Sequence, residues 1–138
     1  MDQMMLQPGI KGQATLTVCD GNTAKTMGSG SLEVLATPAM VALMERAAAQ
    51  SVSLCLDEGQ TTVGTAIQIQ HLSATPIDMH VTAESELLQI DGRKLLFGVS
   101  AFDEKGLIGQ GTHERFVVDA ARFMAKAGSK RSETIQEA

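Results

Sequence analysis

The sequence has no Trp and no Tyr, only four Phe among 138 residues, and only two Cys. Base stacking and carbohydrate platforms depend on aromatic side chains, so neither kind of binding is supported. Cys19 and Cys55 are too few for a disulfide framework, and their surroundings are not those of a metal site. We therefore expect two free thiols in a reducing compartment.

Long basic runs and long apolar runs are also absent. The formal net charge is -5, whereas a protein that binds the phosphate backbone concentrates Lys and Arg on one face. No apolar run approaches the roughly 20 residues that span a bilayer. The first eight residues lack the basic start and apolar core of a signal peptide. We expect a cytoplasmic protein with no nucleic-acid partner and no membrane partner.

A long apolar helix is the main element that the sequence predicts. Thr37 and Pro38 are typical of a helix start, with the Thr hydroxyl as the predicted cap and Pro at the first helical position. The helix should run to about Leu56, because Asp57, Glu58 and Gly59 follow. Its apolar residues cover most of the circumference, so the helix should be buried: Met40, Val41, Leu43, Met44, Ala47, Ala48, Val52, Leu54 and Cys55. Glu45 lies within this apolar surface, which is an unusual place for a carboxylate.

Strand-like alternation occupies most of the remaining chain. One strand is predicted before the helix at 12–18, and four follow it at 63–73, 78–90, 94–103 and 107–119. Pro76 ends one strand, while Asp91-Gly92 and the segment 103–106 are typical of hairpin turns. A short helix at 120–127 and a frayed tail at 128–138 complete the chain.

These elements predict an α+β fold in which a curved antiparallel sheet, drawn as a four-stranded meander, wraps around one long helix. The chain should form a single domain over residues 1–127, with 128–138 as a flexible tail. Such a sheet leaves edge strands exposed, and pairing with a second copy would cover them. We therefore expect a dimer.

Thr37, Glu45 and His71 are the side chains most suited to catalysis. Alternation places His71 on the apolar face of its strand, together with Val63, Thr65, Ile67 and Ile69. Each residue has an ordinary alternative: His71 as a core residue, Thr37 as a helix cap, and Glu45 paired with Arg46 or reaching solvent. Together, a carboxylate, an imidazole and a hydroxyl suit acyl transfer.

Gly64 and the other two histidines complete the candidates. A Gly inside a strand marks either close approach of a ligand or a bulge, and both interpretations stay open. His80 is predicted to be exposed, and His113 has the opposite parity to Ile108, Phe116 and Val118. These positions do not predict a metal site.

Several segments together resemble the hotdog-fold thioesterases, and within them the fluoroacetyl-CoA thioesterase type: Ala36-Thr37, Leu43-Met44-Glu45, Gly64-Thr65-Ala66-Ile67, His71, and Gly111-Thr112-His113-Glu114-Arg115. The resemblance covers roughly residues 32–127. It implies a homodimer, each subunit a curved sheet around one helix, with active sites at the interface. It also implies a catalytic set in which Glu45 is the general base or nucleophile, His71 the acid/base partner, and Thr37 an orienting hydroxyl. Gly64 would supply a backbone amide, and Arg115 would hold the site or the CoA arm.

One segment differs from the family. The fluoroacetyl enzyme has a longer lid with Phe before the helix, whereas residues 27–31 contain no aromatic residue here. We therefore expect hydrolysis of another acyl-CoA, with a short acyl group and no cofactor beyond the CoA of the substrate. A non-catalytic dimer that binds acyl-CoA or a small ligand is the alternative. A hotdog dehydratase is weaker, because it would not need Thr37. Assembly of dimers into a tetramer stays open.

Overall fold

A computed structural model describes residues 4–134, with side chains as far as Arg131. Five strands and three helices form the fold: β1 (Lys11–Thr17), α1 (Ala24–Met27), α2 (Thr37–Val52), β2 (Gln60–His71), β3 (His80–Asp91), β4 (Lys94–Asp103), β5 (Gly106–Asp119) and α3 (Ala120–Thr134). Short 3₁₀ turns lie at Asp20–Asn22 and Ser53–Cys55. The predicted α+β architecture, with one long buried helix against an antiparallel sheet, is confirmed.

Helix α2 forms the centre of the core and is nearly as long as predicted. Its buried residues pack against the sheet: Ala39, Met40, Leu43, Met44, Ala47, Ala48 and Val52. The helix ends at Val52 instead of Leu56, because the chain tightens into a 3₁₀ turn there. That change of pitch leaves Leu54 exposed, against expectation. No helix in the described part of the chain is long and apolar enough to cross a membrane.

The start of α2 differs from the prediction by one residue. Ala36 is the N-cap, Thr37 is the first helical residue, and the Thr37 side chain makes no capping hydrogen bond. Because Ala36 already supplies the extended backbone before the helix, the Thr37 hydroxyl is available for another partner.

The sheet order is β1-β3-β4-β5-β2, with all neighbours antiparallel. The predicted four-strand meander is therefore wrong for β2, which pairs with β5 at one edge. The connection from β2 to β3 runs past the start of α2, where Thr75 accepts a hydrogen bond from the Leu35 amide and Pro76 bridges Val34. These contacts carry the chain across the sheet and leave β2 as an edge strand.

Bulges at three places in the sheet set which side chains face α2, and two of them affect the candidate site residues. The β2–β5 register shifts between Gly64 and Ala66, and the β4–β5 register shifts around Ile108. Each extra residue reverses the alternation beyond it, because side chains alternate with a period of two. His71 therefore keeps the predicted inner face with Ile67 and Ile69, while Val63 and Thr65 do not share it.

Helix α3 is longer than the predicted 120–127. It continues to Thr134, so residues 128–134 are helical, and residues 135–138 lie outside the described part. The described side chains from Ala121 to Arg131 are all exposed. The division into a domain at 1–127 and a tail at 128–138 stays a prediction.

Candidate active site

Thr37 and His71 form a direct side-chain pair. The Thr37 Oγ1 lies 2.8 Å from the His71 Nδ1. Burial lowers the pKa of His71, against a smaller opposing effect of the Ser73 backbone, so the neutral imidazole is favoured. The His71 Nε2 is buried and has no hydrogen-bond partner among the described residues. The pair therefore presents an imidazole whose second nitrogen is open to a further group.

A small pocket of about 280 Å³ lies beside this pair. Its other walls come from the segment before α2 and from the residues after β2: Ala24, Ser29, Val34, Leu35, Leu72, Ser73 and Ala74. The first of these segments is held by local structure. Thr23 caps α1, and Gly28 ends it with a φ of 77°, in the left-handed region that favours glycine.

Glu45 lies in a second cluster, on the next turns of α2. Its Oε2 is 3.7 Å from the Arg115 Nη1 and 3.9 Å from the His113 Nε2. The side chain of Glu45 is 40% exposed, so the predicted position within a buried apolar surface is wrong. Gly64 lies against the carboxylate: a Cβ at this position would stand 2.7 Å from the Glu45 Oε2. The bulge that the sequence left open as one alternative is present between Gly64 and Ala66, while close approach of a ligand to Gly64 stays a prediction.

Arg115 is fixed from several sides. Its Nε donates to the Thr62 Oγ1 at 2.8 Å and its Nη2 donates to the Thr62 carbonyl at 2.9 Å. The guanidinium is buried, and burial lowers the pKa of Arg115, although an Arg remains charged in proteins. Its Nη1 faces both His113 and Glu45. These contacts suit a residue that orients Glu45, and the substrate-binding role of Arg115 stays a prediction.

His113 is the residue of this cluster that the sequence did not reveal. It is buried to 1% exposure, with Nδ1 2.9 Å from the Ala66 carbonyl and Nε2 3.1 Å from the Arg115 Nη1. Since a carbonyl accepts and a guanidinium donates, Nδ1 carries the proton and the ring is neutral. Burial and then the charge of Arg115 lower the pKa of His113, outweighing the opposing effects of the Ala66 backbone and Glu45. The bulge at Ile108 turns His113 inward, and residue parity alone could not show this.

The two clusters do not meet within one chain. Glu45 follows Thr37 by eight residues, which is about 12 Å along a helix axis. His71 follows Gly64 by seven residues, or roughly 23 Å along a strand. The structure thus brings Thr37 to His71, and Glu45 to Gly64 and Arg115. In the described part of the chain, no group of three His, Cys, Asp or Glu side chains is placed to hold a metal ion.

The chain is also similar in sequence to known proteins. The chain matches the family model described as "FlK: Fluoroacetyl-CoA-specific thioesterase" over residues 18–121. It is 44% identical over 98 residues to a fluoroacetyl-CoA thioesterase from Streptantibioticus cattleyicolor, covering 71% of this chain and 70% of that protein.

Solved structures extend the similarity to the fold. A mutant of FlK in complex with acetyl-CoA is 35% identical with a TM-score of 0.86, covering 91% of this chain and 98% of that one. A hot-dog-like protein from Thermanaerovibrio acidaminovorans, only 20% identical, has a TM-score of 0.81 over 89% of this chain and 91% of its own, and confirms the hotdog fold alone. The family model and the 44% identity together show that this chain belongs to the fluoroacetyl-CoA-specific thioesterase family.

Proposed function

We propose that this protein hydrolyses acyl-CoA thioesters that have a short acyl group, using Thr37, Glu45 and His71 without a metal or redox cofactor. The observation that carries this proposal is the 2.8 Å Thr37–His71 contact beside a pocket of about 280 Å³. A pocket of this size suits a few carbon atoms better than a long chain. Membership of a thioesterase family supports the reaction, and the acetyl-CoA bound to a relative supports the substrate class.

The residues divide the reaction between them. A water oxygen bonds to the thioester carbonyl carbon and the carbon–sulfur bond breaks. The proton that the water loses reaches the neutral His71 imidazole, directly or through Glu45, and His71 passes it on to the leaving thiolate. Glu45 either takes the proton of the attacking water or attacks the carbonyl itself, forming an anhydride that water then opens. The Thr37 hydroxyl orients His71, and the Gly64 amide would stabilise the developing oxyanion. The fixed cation of Arg115, 3.7 Å from the Glu45 Oε2, would hold the carboxylate in place.

A homodimer would unite the two clusters. Strand β2 is an edge of the sheet, and an edge strand can pair with its own copy around a two-fold axis. If the axis passes through Gln68, Ile67 lies opposite Ile69 of the partner subunit and, because the bulge at Thr65 adds one residue, Gly64 faces His71 of the partner subunit. Each active site would then take Thr37 and His71 from one subunit, and Glu45 and Gly64 from the other.

Mixing two inactive variants tests this arrangement. Glu45→Ala and His71→Ala chains, unfolded and refolded together, should give mixed dimers with one intact site. For random pairing this restores about a quarter of the wild-type activity. Each variant refolded alone is the control. A mixture that stays inactive, or a sedimentation experiment that shows a monomer at micromolar concentration, would contradict the composite site.

A panel of acyl-CoA substrates, from acetyl to long chains and including fluoroacetyl, tests the function itself. We expect thiol release from short acyl-CoAs, abolished by His71→Ala in a variant that keeps its circular dichroism spectrum. The segment before α2 has no aromatic residue, so fluoroacetyl-CoA should not be preferred over acetyl-CoA. Tight binding without thiol release from any substrate would establish the non-catalytic alternative. The cytoplasmic location stays a prediction.

A further inference from the structure

Helix α3 concentrates positive charge on an acidic protein. Residues 1–119 hold fourteen of the sixteen Asp and Glu but seven of the eleven Lys and Arg. The other four basic residues lie within the ten positions 122–131, which contain no acidic residue: Arg122, Lys126, Lys130 and Arg131. Outside this helix, no ten-residue stretch holds more than two Lys or Arg. The positive charge is therefore concentrated on α3, while residues 1–119 carry a net negative charge.

The basic side chains are arranged on one face of α3. Arg122, Lys126 and Lys130 follow one another at intervals of four residues, which places them in a row along a helix. The side chains of Arg122 and Lys126 are exposed and form no ion pair with a carboxylate in the described part of the chain. Phe123 and Met124 lie on another side of the helix and are 42% and 65% exposed. The helix thus has an apolar side with no cover and a basic row beside it.

The position of α3 is set by its anchor at the end of β5. Asp119 accepts a hydrogen bond from the Arg122 amide as a helix cap, and the Ala120 amide donates to the Gly59 carbonyl. Asp119 also pairs with Gln60 at the start of β2. His71 of the same chain lies at the far end of this strand, roughly 36 Å away along twelve residues. Helix α3 is thus remote from the Thr37–His71 pocket of its own subunit.

In the proposed dimer the same helix flanks the pocket of the other subunit. When Gly64 faces His71 of the partner subunit, Gln60 lies four residues beyond that position, roughly 13 Å along the strand. The partner strand runs antiparallel, so from His71 of the partner subunit the partner's chain continues in this same direction into its own pocket wall, formed by residues 72–74. Helix α3 therefore starts next to the mouth of the partner's pocket.

We infer that the basic row of α3 binds the phosphate groups of the CoA nucleotide at the active site of the partner subunit. This inference rests on the proposed thioesterase function and on the proposed dimer. The pocket beside Thr37 and His71 holds only the acyl group and the thioester, so the ribose phosphate and pyrophosphate of CoA must lie outside it. An acidic surface repels these phosphates, whereas Arg122 and Lys126 attract them.

The test compares two substrates that differ only in the nucleotide. The double variant Arg122→Glu, Lys126→Glu should raise KM for acetyl-CoA roughly tenfold, since each exposed charge contact is worth about half to one kcal/mol. The KM for acetyl-pantetheine, which lacks the phosphates, and the kcat for both substrates should be unchanged. Adenosine bisphosphate should inhibit the wild type more strongly than the variant. Lys11→Glu on β1, the opposite edge of the sheet, and the charge-conserving variant Arg122→Lys, Lys126→Arg are the controls.

Mixed dimers show which subunit supplies the helix. One chain carries His71→Ala with an intact α3, and the other carries Arg122→Glu, Lys126→Glu with intact His71. In mixed dimers separated from both homodimers by two different affinity tags, the surviving site should have the wild-type KM for acetyl-CoA, because its α3 comes from the first chain. A raised KM would show that α3 serves its own subunit and would overturn the inference.

Failure of the inference and failure of the proposed function give different results. Equal changes in KM for acetyl-CoA and acetyl-pantetheine, or no change in either, would overturn the role of α3 while hydrolysis stands. If the wild type released no thiol from any acyl-CoA, the proposed function would be wrong. Calorimetry with CoA on the wild type and the variant would still show whether the basic row of α3 binds the CoA phosphates. Binding to vesicles with anionic lipid, combined with an unchanged KM, would overturn the inference in favour of a membrane surface.

Discussion

Replacing Gly64 with Ala is the smallest change that should disturb the catalytic carboxylate. An added Cβ would stand 2.7 Å from the Glu45 Oε2, 3.2 Å from the His113 Cε1 and 3.4 Å from the Arg115 Nη1. Gly64 does not have a positive φ, so Ala fits the backbone and the perturbation is purely steric. The methyl group must push the carboxylate by about 0.7 Å to reach an ordinary contact distance.

The expected effect is large for activity and small for stability. A displacement approaching 1 Å of a reacting group costs about a hundredfold in rate. Glu45 is a flexible side chain that is 40% exposed, so its carboxylate can move aside without unfolding the protein. The Gly-to-Ala change itself reduces the entropy of the unfolded chain by an amount worth about 0.4–1 kcal/mol, which offsets part of any strain. We therefore expect kcat to fall about a hundredfold while the midpoint of thermal unfolding hardly changes.

The assay is thiol release from acetyl-CoA, together with thermal unfolding followed by circular dichroism. Gly98→Ala is a matched control in the same sheet, because its added Cβ would meet only Leu88, at an ordinary 3.4 Å. That variant should keep the wild-type kcat. Wild-type activity in Gly64→Ala would refute the reasoning, since the carboxylate would then be either mobile in the native enzyme or uninvolved in the reaction.

Four further outcomes follow from the structure. Thr37→Val should lose activity and Thr37→Ser should retain most of it, as measured by thiol release, because only the hydroxyl reaches His71. The acidic limb of the pH–rate profile should have its midpoint below the ordinary pKa of about 6.5, because burial lowers the pKa of His71 and the reaction needs the neutral ring. A midpoint at or above this pH would contradict the assignment. The buried, neutral His113 should contribute fully to the free energy of unfolding above the ordinary pKa of about 6.5, and this contribution should be lost as the pH falls through the lowered pKa of His113. The free energy of unfolding of His113→Asn, measured by urea denaturation, should therefore depend less steeply on pH than that of the wild type. Leu43→Ala should destabilise the fold by about 2–5 kcal/mol in the same assay, because Leu43 is 2% exposed in the core.

Much of the fold could be predicted because its signals are local. The helical spacing of the apolar residues in α2 predicts that this helix is buried, and Asp91-Gly92 predicts the turn of the β3–β4 hairpin. Thr37, Glu45 and His71 could be selected as chemical groups because their types suit acyl transfer. Their family motif added expected roles, which stay predictions until the variants are measured.

The tertiary structure alone decided how these groups are arranged. The partner of the Thr37 hydroxyl is 34 residues away, and nothing near Thr37 in the sequence indicates that it bonds to His71 instead of capping α2. The bulges in β2 and β5 reverse the side-chain alternation, turning Gly64 toward Glu45 and burying His113. Packing between strands decides where a bulge forms. The sequence of a single strand therefore does not show which side of the sheet its side chains face beyond the bulge. The sequence by itself therefore determined which elements form and which residue types are present, and long-range pairing decided which of them meet.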